Sequence, residues 1–177
     1  MIKRTSRPWT RATIASWLCC LMLSVCVARS AGAQGEKNQV RIQEVEVALT
    51  TVGPVVLLKA ESKAIPVFVD QTVAESIHAA LSKQKLPRPL SHDLMRSILQ
   101  AYEGKVVQVV VTLKGSTFYG ALTIEVAGNS KVFDSRSSDA IALAIHFAAP
   151  IWVSRELLDK SGKPLEKTEE PPGTQRL

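Results

Sequence analysis

The middle of this chain repeats itself at an offset of 64 positions. Val45, Val47, Leu49, Leu58, Glu61, Asp70, Ile77 and Ala80 recur as Val109, Val111, Leu113, Leu122, Glu125, Asp134, Ile141 and Ala144. A unit carried twice constrains the fold strongly, because two copies make a pseudo-symmetric domain, not a solenoid, and place corresponding loop ends near one another. Each copy reads as three strands and a helix. The prediction is an α+β fold with internally duplicated β-β-β-α units, forming a mixed, mainly antiparallel sheet with helices packed against it.

In the first unit, residues 42–82, the apolar positions Val45, Val47 and Leu49 alternate, Thr51-Val52-Gly53-Pro54 supplies a turn, and an apolar run resumes over 55–58. A third strand over 65–69 leads to Thr72-Val73-Ala74-Glu75, a capping-box pattern that predicts a helix to Ser82. The second unit, residues 106–147, repeats the order with strands over 106–113 and 118–126, a hairpin at Gly128-Asn129 and a helix over 138–147. That helix has almost no polar face, so it is either sandwiched within the fold or covered by another subunit, which favours a homodimer. Linker 83–104 carries the densest basic cluster, Lys83, Lys85 and Arg88, stiffened by Pro87 and Pro89, and a helix capped by Ser91. A short strand, Ile151-Trp152-Val153, and a helical turn follow.

Residues 1–33 have the layout of a secretory signal: a basic leader with Lys3, Arg4, Arg7 and Arg11, an apolar stretch, and Ala31-Gly32-Ala33 as a cleavage site. Cleavage after Ala33 predicts a secreted or periplasmic protein with no stable membrane association. It also removes five of the 22 basic residues, leaving 17 against 16 acidic ones, so the sequence pI reports targeting and not an affinity for nucleic acid. Cys19, Cys20 and Cys26 leave with the leader, which excludes disulfides, thiolate catalysis and zinc–thiolate sites from the mature chain. Residues 34–40 read as a flexible entry, 41–159 as the folded domain and 160–177 as a polar, proline-rich disordered tail.

Phosphodiester chemistry needs developing charge neutralised and water or a hydroxyl activated. The residue types for it gather at Asp134, Arg136, Ser138 and Asp139, where a strand runs into a helix. Asp139 in a first helical turn also has a purely local role, stabilising the helix dipole. Asp70 and Glu75 occupy the matching places in the first copy, but nothing there matches Arg136, so the second copy is the better candidate. His92-Asp93 at the start of the linker helix offers a base and a carboxylate. His78 and His146, among apolar neighbours, read as packed or surface histidines. Of Phe118 and Tyr119, alternation puts one inward. No nucleophile elbow, glycine-rich phosphate loop or H-E-x-x-H motif is present.

Leu86-Pro-Arg-Pro-Leu-Ser-His-Asp-Leu94, Gly115-Ser-Thr-Phe-Tyr119 and Asp134-Ser-Arg-Ser-Ser-Asp-Ala-Ile-Ala-Leu-Ala144 together resemble the bifunctional nuclease family. The resemblance implies an α+β domain acting on DNA and RNA and forming homodimers. It points to Arg88, His92, Asp93, Asp134, Arg136, Ser138 and Asp139. The expectation is an exported nuclease in which His92, Asp93, Asp134, Arg136 and Asp139 are catalytic. Asp93, Asp134 and Asp139 would hold a divalent metal such as Mg²⁺ or Mn²⁺, while Lys83, Lys85, Arg88 and Ser138 bind substrate. The rivals are a noncatalytic envelope module binding a protein or anionic ligand, and a metal-independent ribonuclease using His92.

Overall fold

The structure, a computed structural model, describes residues 38–165 and 175–176. The expected signal segment and most of the tail lie outside the described residues. The elements run β1 (Gln39–Arg41), β2 (Glu44–Thr50), β3 (Gly53–Ala60), β4 (Lys63–Phe68), α1 (Gln71–Ser82), α2 (Ser91–Ala101), β5 (Gly104–Lys114), β6 (Thr117–Val126), β7 (Asn129–Arg136), α3 (Ser137–His146), β8 (Ile151–Ser154), α4 (Arg155–Ser161), β9 (Lys163–Pro164) and β10 (Gln175–Arg176).

The α+β class is as expected, with the strands divided between two five-stranded sheets, in the orders β1-β8-β5-β6-β7 and β10-β2-β3-β4-β9. Every pairing is antiparallel except β5 with β8. Val45 pairs Leu58 and Val47 pairs Val56, while Val109 pairs Leu122 and Val111 pairs Gly120, so the first hairpins of the two units share one register at the 64-residue offset. They diverge next. Val56 pairs Val67 but Gly120 pairs Ser135, because the second unit's later hairpin is longer.

Alternation explains the core: Val109, Val111 and Leu122 face inward with Val56, Leu58 and Ile65 of the other sheet and Ile77, Ile141 and Ala144 of the helices. Helix α3 is covered on one side by β5, β6 and β7 and on the others by α1 and α2, so its apolar surface is accounted for within one chain. Gly120 allows the close approach. A Cβ there would stand 2.7 Å from the Ala140 Cβ, so the start of α3 rests directly on β6.

The edges of the elements correct several expectations. Helix α1 is capped by Asp70, whose side chain accepts from the Val73 N–H at 3.1 Å, so Thr72 and Glu75 are not its capping box. Helix α2 begins at Ser91 with Leu90 in the cap position, and it is the Asp93 carboxylate that accepts from the Leu90 N–H at 3.0 Å. Strand β1 starts inside the segment expected to be a flexible entry, and α4 and β9 reach into the expected tail. Phe118 packs against the core, whereas Tyr119 lies under the Lys114 ammonium, 4.7 Å from its ring centroid.

Candidate functional site

Three helices bring the site together. Two of them present residues by sequence logic already noted: α2 offers His92 and Asp93 in its first turn, and α3 offers Asp139 in its own. The third contribution comes from α1, whose capping Asp70 and buried Ser76 face α3.

Arg136, where β7 becomes α3, donates from Nε to Asp139 Oδ2 at 2.7 Å and from its terminal nitrogen to Asp139 Oδ1 at 3.0 Å. This two-pronged, charge-assisted contact fixes the carboxylate plane. The guanidinium also reaches Asp70 at 3.7 Å, tying the starts of α1 and α3 together. Asp139 Oδ1 in turn stands 3.3 Å from His92 Nε2. The His92 ring stacks on His146, with centroids 6.2 Å apart and planes 21° from parallel. His146 Nε2 is 2.9 Å from the Ser76 hydroxyl, and its Nδ1 is 3.6 Å from Asp93.

The result is a continuous polar chain from an exposed arginine to a buried imidazole pair. Arg136 hydrogen bonding holds the Asp139 carboxyl below the usual carboxylate range against the opposing effect of burial, with His92 adding to the depression. Burial pushes the His146 imidazole down, more than the nearby Asp93 pulls it up, and His92 and Arg96 push it further down. His146 is therefore neutral at pH 7 and able to take a proton.

His146 and Asp93 also form part of the wall of a cleft of about 450 Å³ between the end of α1, the linker, α2 and α3. Lys83, Lys85 and Arg96 line it. None of these cations, nor Arg88, has an ion-pair partner among the described residues. Lys59, Lys63, Lys105, Arg136, Arg155 and Lys160 are all paired with carboxylates. Arg41, Lys114, Lys131 and Lys163 likewise have no carboxylate partner among the described residues, so unpaired positive charge is not confined to the cleft, which gathers three such cations on one lining.

The family model described as the bifunctional nuclease domain matches residues 55–166, a span that contains every residue of this cluster. The chain belongs to the bifunctional nuclease domain family. Two proteins of Mycobacterium tuberculosis, both named as uncharacterized, one in strain CDC 1551 / Oshkosh and one in strain ATCC 25618 / H37Rv, are each 32% identical over 128 residues, covering 71% of this chain and 76% of each relative.

In this bifunctional nuclease domain the expected site residues divide into three groups. His92, Arg136 and Asp139 are joined directly, and Asp93 joins them through His146. Lys83 and Lys85 lie on the cleft, with Arg88 exposed in the linker beside it. Asp134 stands apart: it is exposed on β7 opposite Ala121, and its side chain has no hydrogen bond or ion pair among the described residues. Ser138 is half-buried in the first turn of α3, with no side-chain hydrogen bond among the described residues.

A divalent cation shared by Asp93, Asp134 and Asp139 does not fit this arrangement. Both Asp139 oxygens are held by Arg136, and Asp93 faces the Leu90 N–H and His146. Among the described residues, no group of three or more His, Cys, Asp or Glu side chains is placed to hold a metal ion. The residues that pattern reading left out of the site are His146, Ser76, Asp70 and Arg96. The available signal was His146 itself, a polar residue in an otherwise apolar helix, where a buried ring nitrogen must find a partner.

Proposed function

We propose that this chain is an exported nuclease that cleaves phosphodiester bonds of DNA, RNA or both at the His92–His146 centre. The single observation that supports it most is the stacked imidazole pair, each ring beside a carboxylate, opening through His146 onto a cleft with three unpaired cations. Lys83, Lys85 and Arg96 neutralise the phosphate as charge develops on it. His146, neutral and oriented by Ser76 and Asp93, handles the proton. Asp139, fixed by Arg136, orients His92, which backs His146 through the stack. The layout of residues 1–33 supports export to the periplasm or medium, with a cut after Ala33. The exposed Val132 and Phe133 of the edge strand β7 support a homodimer, in place of the α3 surface, which is already covered.

The test is incubation of the mature protein with single-stranded and duplex DNA and RNA, in Mg²⁺, Mn²⁺ or EDTA. Cleavage lost in Asp139→Asn and His146→Ala is expected. A wild-type protein that degrades none of these substrates under any of the three conditions is not a nuclease. One observation favours a second reading, a noncatalytic envelope module binding an anionic ligand: Asp93, Arg136, Asp139 and both histidines already hold one another. That reading predicts binding without turnover.

A further inference from the structure

The cleft carries more information than its charge. Beside the cations its lining carries apolar side chains, Ala79, Ala80, Leu86, Pro89 and Ile145, and Gln84 stands on the same lining. A surface that only tracks a duplex backbone needs a stripe of positive charge and no concavity. Here a volume of about 450 Å³ puts the cleft within the size of pockets that hold a small ligand, and its lining mixes apolar side chains with three cations.

We propose that this cleft is a single-nucleotide pocket. The base lies on the Ala80, Leu86 and Ile145 wall, and the attached phosphate meets Lys83, Lys85 and Arg96. The assignment deepens the nuclease reading and rests on it for the identity of the polymer, naming its substrate class as single-stranded nucleic acid. A base that is stacked and paired in a duplex cannot enter a concave site without being extruded, whereas an unpaired one enters at little cost. The three cations match the negative charge of a phosphate. The one carboxylate on the lining, Asp93, is turned toward the Leu90 N–H and His146, so it does not cancel the three ammonium and guanidinium groups. His146, with only 2% of its side chain exposed, brings a buried ring to the same wall as the incoming phosphate. Gln84 supplies a donor and an acceptor for a base edge.

The experiment is equilibrium binding to the full mature chain in EDTA, using AMP, adenosine, inorganic phosphate, a single-stranded pentanucleotide, a blunt duplex of that length and oligoglutamate. AMP binding at least about tenfold tighter than adenosine or phosphate is expected, since a charge-assisted contact that adenosine lacks and the apolar burial of a base that phosphate lacks are each worth about that factor. Arg96→Glu, an exposed charge reversal, weakens AMP by at least about tenfold with an unchanged circular dichroism spectrum. Leu86→Asp weakens AMP more than phosphate. The single strand displaces AMP and the duplex does not.

AMP held no better than phosphate, equal displacement by the duplex, or oligoglutamate competing as well as the single strand overturns the pocket. The two readings fail separately. Nucleotide binding with no cleavage of any substrate removes the nuclease and leaves the pocket, and cleavage without preference for AMP over phosphate does the reverse.

Discussion

The imidazoles of His92 and His146 come from different helices, α2 and α3, yet stack with centroids 6.2 Å apart, and each has a carboxylate beside it, Asp139 at 3.3 Å from the first and Asp93 at 3.6 Å from the second. Through Asp139 and Arg136 the pairing joins the exposed guanidinium to the wall of the cationic cleft. Neither ring is free to turn: the first is fixed through Arg136 and the second by the Ser76 hydroxyl.

Stability should decline as the solution is acidified through the histidine range. The folded-state pKa of His146 lies below its ordinary value of 6.5, so the unfolded chain binds the proton more readily. The sign follows directly: the contribution is complete above about pH 6.5 and is lost as pH falls toward the lower folded value. Urea midpoints between pH 8 and pH 5 should fall less steeply in His146→Gln than in the wild type. Parallel pH dependences in the two proteins would show that His146 is not buried neutral.

Asp139 acts at lower pH. Its folded carboxyl lies below 3.8, so its contribution is present above that pH and is lost as the pH drops through the folded value. Removing the guanidinium in Arg136→Ala should move this loss toward higher pH. Because the Arg136 side chain is 66% exposed, the effect on stability at pH 7 should stay under about 1 kcal/mol. The reaction should suffer more, by up to about a hundredfold in kcat with little change in KM, since Asp139 would no longer fix His92. A change confined to KM would instead make Arg136 a substrate contact.

Gly120→Ala tests how tightly the site depends on the sheet. The new Cβ would collide with Ala140 at 2.7 Å and crowd the Arg136 carbonyl at 3.1 Å, lifting the very turn that carries Arg136 and Asp139. A loss of about 1–3 kcal/mol is expected, together with reduced activity. Calorimetry and the cleavage assay on one sample report both, and an unchanged melting temperature would contradict the close approach of β6 and α3.

Asp70→Ala removes the α1 cap and the second partner of Arg136 at once. The cap is worth about 0.5–2 kcal/mol. Thr72→Ala, at the position sequence pattern favours for a cap, should cost less. Denaturant unfolding of the two variants decides which residue caps the helix.

The strands of the two units and both repeat helices were legible because alternation and helical spacing are local signals, whereas the short edge strands β1 and β9 carry no such pattern, and the shared hairpin register follows from Val45, Val47, Val109 and Val111 occupying equivalent places. Caps were harder. Asp70 and Thr72 both offer an oxygen near the start of α1, and only the backbone path after β4 selects Asp70. His146 escaped a functional reading because its partners are remote, Ser76 being 70 positions earlier, so no spacing along the chain announces them. Asp134 and Asp139 invited pairing by nearness in sequence. The turn from β7 into α3 separates them, leaving one exposed on a strand and the other clasped by Arg136.

The most direct test of the account is the cleavage rate of an end-labelled single-stranded oligonucleotide by the wild type and by His92→Asn and His146→Asn, each confirmed folded by circular dichroism. A reaction centre built on the stacked rings predicts that His146→Asn loses about 10²–10⁴-fold in rate, with His92→Asn also impaired. Wild-type rates in both variants would place the chemistry elsewhere and leave the pair a structural contact.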